Sequence, residues 1–167
     1  ATGRNQAALA TLAAEAPGIE TLCIDLSDRP AVAGALARRR VDILINNAGV
    51  MACPQGTTDD GFERQFGTNH LGHFLLTGLV APTLVANGSG RIVNLSSRGH
   101  QRDDVHLDDV NFEHRDYDKW AAYGQAKTAN VLHAVELDRR LRDRNVRAFA
   151  VHPGTIMTDL SRHMQQQ

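Results

Sequence analysis

The chain has 167 residues, 42% hydrophobic and 22% charged, a length that fits one domain with a sizeable core. A formal net charge of −1 gives no electrostatic reason to expect nucleic acid or an anionic membrane as partner. No apolar run approaches the roughly 20 residues of a bilayer span, and the opening Ala1-Thr2-Gly3-Arg4-Asn5 has no signal-peptide character, so a cytoplasmic protein is expected.

Taken in order, Ala1 to Gly3 reads as the tail of a strand, and Arg4-Asn5 leads into an alanine-rich helix ending near Pro17-Gly18. Ile19 to Ile24 is the next strand, closed by Asp25-Leu26-Ser27-Asp28. Pro30, after the possible caps Ser27 and Asp28, opens a helix through Arg38 to Arg40. Val41 to Ile45 is a mostly apolar strand, as expected where helices cover both faces of a sheet.

A long helical region runs from about Thr58 to Val85 with a break near Gly67, and Gly88-Ser89-Gly90 turns it into a strand from Arg91 to Leu95. The irregular piece Arg98 to Lys119, rich in Asp, His and Arg, is either a solvated insertion or a substrate lid. A helix around Lys127 follows, with Val131, Val135, Leu137 and Leu141 on its apolar side, and Val146 to Val151 is the last clear strand. Alternating strands and helices of this length imply parallel pairing. Two cysteines make no disulfide framework, and Cys23, inside an apolar run, is expected in the core. His70 and His73 have a spacing that suits a metal on a helix, but no third ligand stands nearby, so no metal is expected.

Tyr123 and Lys127 lie four apart on a helix and therefore share a face. A phenol titrates near 10, and an ammonium close by favours its charged form, so the pair suits acid and base work on a carbonyl or alcohol oxygen. Around it stand Asn46-Asn47-Ala48-Gly49 after a strand, Asn69 in Gly67-Thr68-Asn69-His70, Ser96-Ser97 after a strand, and Pro153-Gly154-Thr155-Ile156-Met157-Thr158. In this order these motifs resemble the short-chain dehydrogenase/reductase family, and the wide gap from Ser97 to Tyr123 resembles its retinol dehydrogenase-like and WW-domain oxidoreductase-like branch.

The resemblance implies an α/β fold, a Rossmann-type doubly wound parallel sheet, with residues 1–167 forming a single dinucleotide-binding and catalytic domain incomplete at both ends. The family's first βα unit, with its glycine-rich pyrophosphate turn, and its C-terminal end are expected to be lacking. It further implies Tyr123 as general acid and base, Lys127 lowering its pKa, Ser97 rather than Ser96 holding the substrate oxygen, and Asn69 keeping a backbone kink. Asp25 and Leu26 would lie by the adenine, Asn46, Ala48 and Gly49 would shape a loop against the cofactor, and Pro153, Gly154 and Thr158 would position the nicotinamide. Arg4 favours NADP over NAD, because an acidic residue there would bind the ribose hydroxyls instead. The implied function is interconversion of a small-molecule carbonyl and alcohol by hydride transfer, in a homodimer or homotetramer. The alternatives are a non-catalytic nicotinamide-nucleotide-binding regulatory protein and a nucleotide-sugar epimerase or dehydratase relative.

Overall fold

The structure is a computed structural model that describes residues 2–3, 5–24, 28–36, 39–154 and 160. These fall into two compact units, 1–40 and 41–167.

In the first unit, β1 (Thr2–Gly3) pairs in parallel with β2 (Leu22–Cys23), the helix α1 (Gln6–Glu15) connecting them. Asn5 caps α1, its side chain accepting from the Ala8 N–H at 3.0 Å, which satisfies one of the donors a helix start leaves free. The helix α2 (Arg29–Leu36) is opened by Asp28, whose carboxylate accepts from the Ala31 N–H at 2.9 Å. Two expectations need correction. The strand is two residues long rather than Ile19 to Ile24, and Cys23 is exposed. Successive strand residues face opposite ways, so the partial burial of Leu22 turns Cys23 outward.

The second unit is built on three parallel strands in the order β3 (Ile43–Asn46), β4 (Gly90–Leu95), β5 (Val146–Val151). Between β3 and β4 run α3 (Arg64–Phe66), a π-helical turn (Gly67–Leu71) and α4 (Gly72–Ala86); between β4 and β5 runs α5 (Lys119–Leu141). The chain folds as a Rossmann-like parallel sheet with helices.

Both α4 and α5 pack on the sheet face that carries Asn46, Gly90, Ile92, Asn94, Val146 and Ala148, all buried. Close approach is set by small residues: Ala122, Ala126, Ala129 and Ala134 line the buried side of α5. A Cβ on Gly90 would sit 2.9 Å from Leu84 Cδ2, so α4 rests directly on the β4 backbone. The expected cover on both faces is not found in this unit, where Ile43 and Ile45 are 59% and 60% exposed. Likewise the apolar side of α5 is not the one read from Val131 and Val135. Val135 is exposed, and the helix buries alanines together with Tyr123, Gln125, Lys127 and Asn130.

The helix expected from Thr58 begins only at Arg64. Gly61 at φ +85° turns the chain back, Thr57 bridges Glu63, and the Glu63 carboxylate accepts from the N–H groups of Gln65 and Phe66 at 2.9 and 2.6 Å. The break expected near Gly67 is present as the π-helical turn.

Residues 98–118 form a strap bound to α5 rather than a loose insertion. Gln125, 0% exposed, accepts from the His106 N–H and from Arg115 Nη2, both at 3.0 Å, and donates to the Val110 carbonyl at 3.1 Å. Arg115 also pairs with Asp103 and Asp109 and lies 3.8 Å over the Phe112 ring. At the far end, Tyr117 Oη accepts from Gln65 Nε2 at 3.0 Å and faces the Cys53 carbonyl at 3.1 Å. Replacing Gln125 by Leu leaves the His106 N–H and the Val110 carbonyl without this partner and removes one from Arg115, which should cost about 3 kcal/mol and open residues 98–118 to limited proteolysis. Unchanged denaturant unfolding and unchanged cleavage would show that the strap is held otherwise.

Candidate active site

The carboxyl ends of β3, β4 and β5 carry the residues singled out by the sequence. In an open parallel sheet this is the edge where ligands bind. After β4 the chain delivers Ser96 and Ser97. Ser96 is buried and its hydroxyl donates to the Lys127 carbonyl at 2.9 Å. Ser97, in extended backbone, caps the short helical turn Arg98–Gln101 by accepting from the Gly99 N–H at 3.1 Å, and its hydroxyl hydrogen-bonds the Tyr123 phenol.

Tyr123 and Lys127 are presented by α5, whose start is fixed by Asp118 accepting from the N–H groups of Trp120 and Ala121. Tyr123 is 4% exposed and Lys127 5%. The ammonium lies 5.5 Å from the centre of the Tyr123 ring and donates to the Leu95 carbonyl at 2.9 Å. Burial lowers the Lys127 pKa to about 8. The expected lowering of Tyr123 by Lys127 is not what this geometry produces. Burial pushes the phenol upward, and the opposing influence is the Ser97 hydrogen bond. At neutral pH the phenol therefore keeps its proton and the lysine is mostly an ammonium.

Asn69 sits in the π-helical turn, 0% exposed, and its side chain pairs with the loop after β3: Oδ1 accepts from the Val50 N–H at 2.8 Å and Nδ2 donates to the Val50 carbonyl at 2.9 Å. Gly49 favours this contact, since a Cβ there would lie 3.1 Å from Asn69 Oδ1. Ala48 is exposed beside it. Asn46 differs from expectation in one respect. Its side chain turns inward, donating to Thr77 Oγ1 at 2.9 Å and Asn94 Oδ1 at 2.8 Å, so it anchors the loop from below and offers the edge only main chain. Pro153 and Gly154 follow β5 and are exposed. Arg4, Asp25, Leu26 and Thr158 lie outside the described residues.

Sequence reasoning missed the buried Asn94 and Asn130 and the half-buried His133 behind the site, and read His70 and His73 as surface or packing histidines. His73 Nδ1 faces the Asn69 carbonyl at 2.9 Å and His70 Nδ1 faces Asn130 Oδ1 at 3.0 Å. The His70 and His73 spacing was the only signal, and it served packing. Among the described residues no group of three or more His, Cys, Asp or Glu is placed to hold a metal. Nor is any helix among them long and apolar enough to cross a membrane.

Burial lowers His73 and His133 each to about 4. Their folded pKa values lie below the unfolded 6.5, so between pH 6.5 and 4 the unfolded chain binds the extra protons. Stability is full above pH 6.5 and is lost as pH falls toward 4, by about 3 kcal/mol for His73, which is 4% exposed. Melting temperature should fall over that window, with a shallower slope in His73→Gln; equal slopes would assign the acid sensitivity elsewhere.

The profile of the family described as short chain dehydrogenase matches residues 1–108. Human retinol dehydrogenase 13 is 56% identical over 124 residues, which are 74% of this chain and 38% of that protein. Human retinol dehydrogenase 14 is 48% identical over 125 residues, 75% of this chain and 37% of that protein. The chain therefore spans well under half the length of these curated relatives. Among solved structures, an uncharacterized protein from Mycobacterium paratuberculosis superposes with a TM-score of 0.80 at 41% identity, covering 97% of this chain and 60% of that one. A short-chain dehydrogenase from Sphingobium yanoikuyae in complex with NADPH gives 0.76 at 27% identity, covering 98% and 63%. With a family match across residues 1–108 and the motifs assembled on one sheet edge, the chain belongs to the short-chain dehydrogenase family.

Proposed function

We propose that the protein carrying this chain is an NADP-dependent oxidoreductase that interconverts a carbonyl and an alcohol, with Tyr123 as the acid and base. The observation that carries this reading is a buried phenol with the Ser97 hydroxyl on its oxygen and the Lys127 ammonium over its ring. No other described tyrosine has an ammonium over its ring.

The residues present suit a nicotinamide nucleotide. Lys127 uses one of its three N–H donors on Leu95 and keeps two for a ribose. Gly49 and the exposed Ala48 leave main chain open to a close-lying ligand, and Pro153 and Gly154 would help to hold the carboxamide. When bound, the nicotinamide supplies or accepts the hydride. Tyr123 Oη gives its proton to the carbonyl oxygen in reduction and takes it from the alcohol in oxidation. Ser97 holds that oxygen, and Asn69 keeps the loop and the kink in register. Because the phenol is protonated at neutral pH, reduction is favoured there and oxidation gains as pH rises.

The preference for NADP rests on Arg4; Asp25, Leu26 and Thr158 complete the cofactor contacts in this reading. The names of the relatives suggest a retinoid or a similarly apolar aldehyde and alcohol as substrate. Self-association is proposed through α4 and α5, which expose Phe74, Leu75, Leu79, Leu132 and Val135. A cytoplasmic location is carried into this reading; recovery with membranes after cell fractionation would count against it. The functional test is cofactor oxidation followed at 340 nm across aldehydes, ketones and retinoids with NADPH and NADH. Tight nucleotide binding without turnover on any of them would favour a regulatory, non-catalytic role.

A further inference from the structure

Asn130 lies three residues beyond Lys127 on α5, is 1% exposed, and uses its whole carboxamide. Its Nδ2 donates to the Asn69 carbonyl at 3.0 Å and to the Leu95 carbonyl at 3.1 Å, while its Oδ1 faces His70 Nδ1 at 3.0 Å. The orientation is dictated by its partners, since the reversed amide would set Oδ1 against two carbonyl oxygens. It follows that His70 carries its proton on Nδ1. The Leu95 carbonyl is the same atom that receives Lys127 Nζ at 2.9 Å. One side chain thus joins the kink that carries Asn69, the end of β4, and the seat of the ammonium.

We propose that Asn130 is a positioning residue: by occupying one lone pair of the Leu95 carbonyl, it limits that carbonyl's hold on the Lys127 ammonium and leaves the other Lys127 donors free. The proposal rests on reading Tyr123 and Lys127 as the acid–base pair. Packing alone does not call for a carboxamide here, because an apolar side chain of similar shape would fill the same space. What such a side chain cannot do is share the Leu95 carbonyl with the ammonium.

The groups that face Lys127 define what its removal would change. From α5 itself comes Tyr123, from the π-helical turn and α4 come His70 and His73, held neutral by burial, and from β4 comes the Leu95 carbonyl, Arg91 being at the opposite end of that strand. Without the Asn130 donor, the Leu95 carbonyl is left to the ammonium alone, while the Asn69 carbonyl keeps His73 Nδ1. An unshared carbonyl stabilises the charge more strongly and draws it away from the phenol.

The test uses Asn130→Leu in the protein that carries this chain, with lysine side chains carbon-13 labelled and the Lys127 signal assigned by its loss in Lys127→Arg. Lys127 should titrate near 8 in the wild type and about one unit higher in the variant, and the pH profile of turnover should move with it. If Asn130→Leu does not fold, Asn130→Ser retains one donor and should show about half that shift. A folded variant whose Lys127 titration and pH profile match the wild type overturns the proposal and leaves Asn130 a packing residue. A wild-type protein that transfers no hydride would defeat the parent reading instead, and the lysine titration would still decide the seat.

Discussion

Replacing Tyr123 with Phe should reduce turnover by about a thousandfold while nucleotide affinity stays within about twofold. The substitution removes one oxygen and keeps the ring. That ring is wedged against the strap: a Cβ on Gly99 would come within 2.8 Å of Tyr123 Cδ1 and Cε1, so phenylalanine retains the same contact. Lys127 stays on the Leu95 carbonyl and Ser97 still caps its turn through the Gly99 N–H. Only the proton donor is lost. Steady-state rates together with a nucleotide fluorescence titration check this, and turnover within tenfold of wild type would mean that another group handles the proton.

The second large effect is expected at Gly124. A Cβ there would lie 2.8 Å from the Gly99 carbonyl oxygen and 3.1 Å from the Asp103 nitrogen. Both are backbone atoms of the strap and cannot swing aside. Gly124→Ala should therefore cost about 2 to 3 kcal/mol and push the strap off the neighbouring Tyr123, lowering turnover more than tenfold. Gly78, inside α4, gives the control, since nothing lies within 4 Å of its added Cβ. Alanine there should be neutral or stabilise by about 0.5 to 1 kcal/mol through helix propensity. Equal unfolding midpoints for the two variants would refute the close contact between α5 and the strap.

The elements that carry the candidate site residues were largely legible in the sequence, because they follow from spacing along the chain. Tyr123 and Lys127 stand four positions apart, Ser97 follows a strand, and Asn69 follows a glycine that marks a break. The parallel order of the strands was legible for the same reason, since strand and helix lengths alternate. What stayed hidden depends on contacts between distant segments. Gln125 looks like an ordinary helix residue until His106, Val110 and Arg115 arrive from the strap. Asn130 gains its meaning only when the Asn69 and Leu95 carbonyls meet it.

The errors have physical causes too. The apolar side of α5 was read from its large aliphatic residues, whereas the sheet is approached by alanines that let the helix come close, leaving Val135 outside. A helix start was placed at Thr58 because nothing local shows that Glu63 is the cap. Its carboxylate folds back on Gln65 and Phe66, and burial holds its pKa above the usual carboxylate value. Cys23 was assigned to the core from an apolar run, but a strand of two residues has only one inward position.

The most direct test of the acid–base reading follows the hydride itself. The protein is incubated with NADPH carrying deuterium at the transferable position of the nicotinamide and with a panel of apolar aldehydes that includes retinaldehyde. Mass spectrometry of the alcohols should find deuterium on the carbinol carbon with the wild type and none above background with Tyr123→Phe. Label transfer that survives in Tyr123→Phe, or nucleotide that binds the wild type without label reaching any alcohol, would contradict the account.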